Sequence, residues 1–272
     1  MPELLQHPAI QGGLAPFAAA LVVAAILART RLAGLAIVAA YLVVVALTTG
    51  FGFSPLTVSR KILALGLAAP AIGVVADAFE RTGRKLAVAL AIAAGVAALW
   101  VFLPVLQQHG TSGWAAAGGL AVFVSAMVAM TAQLRGDGLR AGAAGLGLGL
   151  AVGIGALLSA STGYLLNGIA LAAALGAVLF VQFMAGRSVA VGFTGALPIG
   201  LLAALFAAAT CVLAALPWHA LPLLLVIPFA AILPLGTRLP FRARAVLLCV
   251  LCVAASAPAI LAAWYAARGS IG

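Results

Sequence analysis

Charged side chains are scarce in this sequence, and their scarcity excludes a water-exposed surface. Only 7% of the 272 residues are Asp, Glu, Lys or Arg, against about 25% in an average soluble protein. Hydrophobic residues make up 66% of the chain, and the mean hydropathy is +1.30. We therefore expect an integral membrane protein in which residues 1–272 form a single transmembrane domain.

Acidic residues, histidines and cysteines are also few, which leaves little material for catalysis or metal binding. The chain has four Asp or Glu, three His and three Cys. The histidines stand in separate segments without the spacing of metal ligands, and the cysteines lie inside apolar runs. No HxxxD, HExxH, DxxD or GxSxG motif occurs. These absences predict a protein that is not an enzyme and that uses no cofactor, no metal and no nucleic acid.

Long apolar runs fill nearly the whole chain. A membrane-spanning helix needs about 20 mostly apolar residues. Runs of this kind, separated by charges or turn clusters, predict an all-α polytopic protein with ten transmembrane helices and short loops. The predicted spans are residues 10–28, 32–50, 62–79, 86–106, 114–134, 139–160, 163–185, 190–216, 219–236 and 245–266.

Basic residues concentrate on one side of the predicted membrane. With the connections numbered alternately, eleven Lys or Arg residues fall on one side and three on the other. The positive-inside rule then predicts that the first side is cytoplasmic, that the protein lies in the inner (plasma) membrane and that both termini are outside. The eleven are Arg29, Arg31, Arg81, Arg84, Lys85, Arg135, Arg140, Arg187, Arg238, Arg242 and Arg244.

Tryptophans support this topology independently. Trp100, Trp114, Trp218 and Trp264 all fall at the predicted outer ends of helices. Tryptophan favours the headgroup level of a bilayer, and one wrong helix in the count would scatter these residues over both sides.

Glycines recur at helical spacing in the sixth predicted span. Gly145, Gly149 and Gly153 follow one another every four residues and so line one face of a helix. In water each glycine would cost about 1 kcal/mol relative to alanine. In a bilayer a face of small residues lets two helix backbones approach closely. We therefore predict a central helix on which neighbouring helices pack.

The outer loop at residues 50–61 carries positive charge on the side that should have little. Arg60 and Lys61 end this loop, and Ser54 lies within it beside Pro55. One interpretation is a mouth that attracts anions, with Ser54 and neighbouring hydroxyls as hydrogen-bond donors. The other is that the two long side chains only reach the lipid headgroups.

Asp77 is the acidic residue closest to the predicted hydrocarbon layer. An ionisable group inside a span is a functional candidate, and a proton-coupled carrier needs a carboxylate. Against this, Asp77 and Arg81 are four residues apart, and Glu80 and Arg84 repeat that spacing. Such pairs are typical of a helix end in headgroup water, so both interpretations stay open.

Prolines inside predicted spans suggest interrupted helices. Pro70 lies in the third span and Pro198 in the eighth. Many transporters consist of two inverted repeats with interrupted helices at matching places. A five-plus-five division, with halves 1–136 and 137–272, would make the third and eighth spans counterparts.

The sequence favours a small secondary carrier for a small organic or anionic solute, with the lipid bilayer as its surroundings. Span count, proline breaks and the lack of a soluble catalytic part support that hypothesis. A non-catalytic subunit or scaffold of a larger membrane complex, or a homo-oligomer packed through glycine faces, is the first alternative. A lipid-handling membrane protein is the second. No motif distinguishes these classes.

Overall fold

A computed structural model describes residues 7–52, 54–79, 83–234 and 239–269. Within these ranges the chain is helical and forms no strand. We number the apolar helices of the described chain α1 to α10. They are α1 (Ile10–Leu27), α2 (Leu32–Thr48), α3 (Val58–Ala78), α4 (Gly83–Leu106), α5 (Gly110–Gln133), α6 (Gly138–Leu158), α7 (Thr162–Ala185), α8 (Gly192–Leu213), α9 (Ala220–Ile232) and α10 (Phe241–Gly269).

Eight of these helices are long and apolar enough to cross a membrane, so the chain is a multi-pass membrane protein. The other two, α2 and α9, are apolar but shorter. Helix α9 consists of two short pieces that meet at Leu225. Its prolines explain the break, because each proline removes a backbone donor and clashes with the preceding turn. Every predicted span therefore corresponds to a helix of the described chain, and eight of those helices have spanning length.

Helix α3 begins four residues before its predicted start. Thr57 caps it, since its hydroxyl oxygen accepts a hydrogen bond from the backbone N–H of Arg60 at 3.4 Å. The threonine satisfies a donor that has no partner within the helix, which favours the early start. Arg60 and Lys61 consequently lie in the first turn of a helix and not in a loop.

Helix α8 is the most buried helix of the described chain, and α6, the predicted central helix, is the second most buried of the eight long helices and packs on several neighbours. In the most apolar 18-residue stretch of each helix, 89% of α8 is buried, against 72% of α6. Two glycines on different faces of α8 explain this. Gly195 lies against Gly34, in the first turn of α2, and Gly200 lies against Val128 of α5. Scattered small residues allow several neighbours to approach one helix.

The glycine face of α6 packs against α7. A Cβ atom on Gly149 would lie 2.5 Å from the backbone nitrogen of Ala172, and one on Gly145 would lie 2.7 Å from Cγ of Leu175. Gly168 of α7 is the reciprocal small residue, because its Cβ would lie 2.5 Å from the nitrogen of Gly153. This face is covered inside the chain and offers no groove to another protein.

Candidate functional site

A cavity of about 470 Å³ lies where α3 and α7 begin. Its volume is within the range of small-molecule sites. We call it the Arg60 cavity. The described residues that line it are Tyr41, Val45, Thr49, Gly50, Gly52, Pro55, Thr57, Ser59, Arg60, Ile62, Leu63, Ser161, Gly163, Tyr164, Asn167 and Phe206.

Two helix N-termini meet at this cavity. Thr57 and Ser59 belong to the cap and first turn of α3, while Ser161 and Gly163 hold the same positions in α7. The first N–H groups of a helix have no intrahelical partner, and the helix dipole places partial positive charge there. Ser161 makes no side-chain cap bond to α7. The cavity therefore receives the positive ends of two helices.

Arg60 adds a full positive charge to the same place. Its side chain is half-buried, and Nη1 donates a hydrogen bond to the carbonyl of Pro55 at 2.9 Å. Of the cavity-lining residues that the structure describes, none is acidic. A guanidinium group has five donors in a planar fork suited to carboxylate or phosphate. An anion is thus the complementary ligand.

Aromatic rings form the buried part of the cavity. The ring of Phe206, from α8, lies 6.0 Å from the Tyr41 ring and 6.4 Å from the Tyr164 ring, measured between centroids. The Tyr164 hydroxyl lies 3.1 Å from the Ser59 hydroxyl and so links α7 to α3. The cavity is therefore polar at the exposed helix starts and apolar at its buried end.

Asn167, one turn after Tyr164 in α7, contributes a side-chain amide to the cavity lining. Its Nδ2 donates to the carbonyl of Gly163 at 2.8 Å. Its Oδ1 is buried and has no hydrogen-bond partner among the described residues. The reverse amide orientation would bring two oxygens together, so the bond to Gly163 determines which amide atom is left unpaired.

The residues of the predicted anion-binding loop have different surroundings in the structure. Arg60 lines the cavity, but Ser54 and Lys61 are not among its described lining residues. Lys61 turns to α4, where Nζ donates to the carbonyl of Trp100 at 2.9 Å and lies 4.9 Å from the centroid of that indole ring. Ser54 lies exposed in the loop before α3.

Asp77 lies at the opposite end of α3 from the cavity, about 26 Å from Arg60 by helix rise. Its Oδ1 accepts a hydrogen bond from the N–H of Phe193 at 2.7 Å. Its Oδ2 accepts from the N–H and the hydroxyl of Thr194 at 3.0 and 2.6 Å. The carboxylate thus caps the N-terminus of α8. Glu80 and Arg81, expected in ion pairs here, lie outside the described residues.

The prolines of the two predicted interrupted helices are buried within helices that continue past them. Pro70 lies inside α3 and Pro198 inside α8. Neither is among the described lining residues of the Arg60 cavity.

Comparison of the chain with protein-family models, with curated proteins and with solved structures finds no match. The function of the cavity must therefore be inferred from its own geometry.

Sequence reasoning missed the part of the cavity outside the loop at residues 50–61, including four residues that define it, Tyr41, Tyr164, Asn167 and Phe206. A compositional signal was available for three of them. Asn167 is the sole asparagine of the chain, and Tyr41 and Tyr164 are two of its three tyrosines. Rare polar groups inside apolar runs indicate interior or functional positions. Phe206 gives no such signal, because it is one of 12 phenylalanines.

Proposed function

We propose that this multi-pass membrane protein is a secondary carrier for a small organic anion, which binds in the Arg60 cavity. The observation that carries the proposal is a half-buried arginine without an acidic neighbour in the described lining, placed where two helices begin. Helix N-termini and guanidinium groups both attract anions, and each acts more strongly in a site shielded from water.

The position of the cavity supports an outward-facing state. The Arg60 cavity lies at the end that the charge pattern assigns to the outside, while Asp77 binds the start of α8 at the other end. In this proposal the inner (plasma) membrane holds the protein with both termini outside. No enzymatic step is needed, because the solute crosses unchanged.

The predicted inverted repeat receives mixed support. Helices α3 and α8, which the repeat makes counterparts, pack against each other, for example where Gly73 lies against Thr194. However, α6 packs extensively on α10, and in the described chain their counterparts α1 and α5 have no comparable contact. A strict repeat is therefore not part of the proposal.

A membrane subunit of a larger assembly is the second candidate. The observation favouring it is an apolar groove of about 510 Å³ between α4 and α5, away from the Arg60 cavity. Ile92 and Val96 on this surface are each 60% exposed. In this candidate a helix of a partner subunit occupies the groove. A protein that is monomeric in mild detergent and in nanodiscs, and that transports alone in liposomes, would contradict this candidate.

Uptake into proteoliposomes tests the carrier proposal. We expect the purified protein to take up radiolabelled small monocarboxylates, and Arg60→Gln to reduce kcat/KM at least tenfold. Lys61→Gln is the matched control, because it removes the same charge one residue away but outside the described lining of the cavity. Equal uptake by the wild-type and Arg60→Gln proteins would contradict the role of the arginine. Absence of uptake of any anion would contradict the carrier.

A further inference from the structure

Asn167 lines the Arg60 cavity and carries one buried hydrogen-bond acceptor that no described residue pairs with. Asn167 Oδ1 has no partner among the described residues, while Nδ2 of the same amide is engaged by Gly163. Leaving a buried acceptor unpaired is unfavourable, so the site favours an occupant that donates a hydrogen bond there. A solute bound beside Asn167 must provide the donor itself.

The charges of the cavity restrict what kind of donor this can be. Arg60 is the one charged group among the described lining residues. An ammonium group on the solute would meet no carboxylate there and would share the cavity with a guanidinium. A hydroxyl or an amide N–H donates equally well and carries no charge, which avoids the cost of burying an unpaired cation.

The aromatic rings at the buried end of the cavity indicate the chemical character of the rest of the solute. Tyr41 is buried, with 6% of its surface exposed, and Phe206 is 2% exposed. Ile62 and Leu63 complete this apolar wall. Such a surface suits an apolar or aromatic body, since rings stack favourably at offset or tilted angles.

We infer that the solute is a small organic monoanion that carries a neutral hydrogen-bond donor and an apolar body, as in an aromatic hydroxy acid. Its carboxylate pairs with Arg60, its hydroxyl donates to Asn167 Oδ1, and its body lies against Tyr41 and Phe206. This inference rests on the proposed anion site and adds the chemical class of the ligand.

Binding to the detergent-purified protein tests this inference without requiring transport. The probes are 3-phenyllactate, 3-hydroxy-3-phenylpropionate, 3-phenylpropionate, phenylalanine and the uncharged 3-phenylpropanol, measured by isothermal titration at pH 7. We expect one of the two hydroxylated acids to bind about tenfold more tightly than 3-phenylpropionate, which is the effect of one lost hydrogen bond. It should also bind at least tenfold more tightly than phenylalanine and 3-phenylpropanol.

Two variants test whether the preference for a hydroxylated acid depends on Asn167. Asn167→Leu should bring the hydroxylated acids and 3-phenylpropionate to within twofold of each other while leaving the dependence on Arg60 intact. Ser59→Ala is the control, because it removes a lining hydroxyl that bonds Tyr164 and should change affinity for all acids by the same factor. Elution volume and melting temperature establish that each variant is folded.

The outcomes separate the inference from the proposal on which it rests. Binding that depends on Arg60 but shows no preference for a hydroxyl, or prefers phenylalanine, overturns the inference and leaves the anion site. If 3-phenylpropanol binds as tightly as the hydroxylated acids, or if Arg60→Gln leaves their binding unchanged, both the inference and the proposed anion site are overturned. If the preference for a hydroxyl is present but liposome uptake is absent, the ligand class stands and the carrier proposal fails.

Discussion

The carboxylate of Asp77 accepts hydrogen bonds from both the backbone N–H and the hydroxyl of Thr194, at 3.0 and 2.6 Å. This relationship joins the end of α3 to the beginning of α8, the most buried helix of the described chain. Gly192, with φ +62°, makes it possible, because a side chain there would be strained and would also collide with the carboxylate. Asp77 therefore acts as a helix cap supplied by a different helix.

Neutralising this cap should destabilise the protein. We expect Asp77→Asn to lower the free energy of unfolding by about 2 kcal/mol, because a carboxylate accepting several hydrogen bonds at a helix N-terminus is replaced by a neutral amide. Thr194→Val should cost about 1 kcal/mol, since it removes the hydroxyl bond and retains the backbone bonds. Melting temperatures in the same detergent measure both. A larger effect for Thr194→Val would contradict the capping role.

Asp77→Asn also tests whether Asp77 couples transport to protons. If Asp77 only caps α8, liposomes containing Asp77→Asn protein should still accumulate anion in response to a pH gradient, with a reduced amount of folded protein as the sole defect. Uptake that becomes independent of the pH gradient, at equal amounts of folded protein, would instead assign Asp77 to coupling.

Close approach of α6 and α7 should make Gly149 intolerant of any side chain. Gly149→Ala would place Cβ 2.5 Å from a backbone atom of Ala172, so one helix must move, and we expect a loss of about 1–3 kcal/mol. Gly149→Leu should prevent recovery of folded protein. Gly118→Leu is the control, because that exposed glycine of α5 has no atom within 4 Å of its Cβ position. Equal yields of the two leucine variants would contradict close packing.

Gly66 should determine the shape of the buried end of the cavity. Its Cβ position lies 2.5 Å from Cε1 of Tyr41 and 2.9 Å from Cδ2 of Leu202. We expect Gly66→Ala to displace the tyrosine ring and to weaken binding of 3-phenylpropionate several-fold, with less effect on propionate, which has no ring to place there. Titration with both acids measures the ratio. An unchanged ratio would mean that Tyr41 does not contact the solute body.

Orientation in the membrane can be tested with single cysteines. In a variant whose three native cysteines are replaced by alanine, Ser54→Cys and Gly136→Cys place thiols in exposed connections at opposite ends of helices. The charge pattern predicts that an impermeant maleimide labels Ser54→Cys in intact cells and Gly136→Cys only after permeabilisation. The reverse pattern would invert the predicted topology.

The sequence determined that this protein is a bundle of apolar helices, and where most of them lie. Burial of backbone polar groups in lipid requires helices of about 20 apolar residues, and charges between the runs mark their ends. The short turn before α7 has no such mark, because residues 159–163 carry no charge, and its placement was the least certain. The early start of α3 was also hard to read, because the Thr57 cap competes with the charges of Arg60 and Lys61 as a boundary signal.

Only the tertiary structure decided which residues form a site. Arg60 and Lys61 are neighbours in sequence, yet one lines the cavity and the other turns to Trp100, because successive helical residues point about 100° apart. Phe206 and Asn167 reach the same cavity from different helices. Periodicity in a single helix cannot predict such convergence, since the packing between helices depends on small residues spread over several partners, as Gly66 and Gly195 are here.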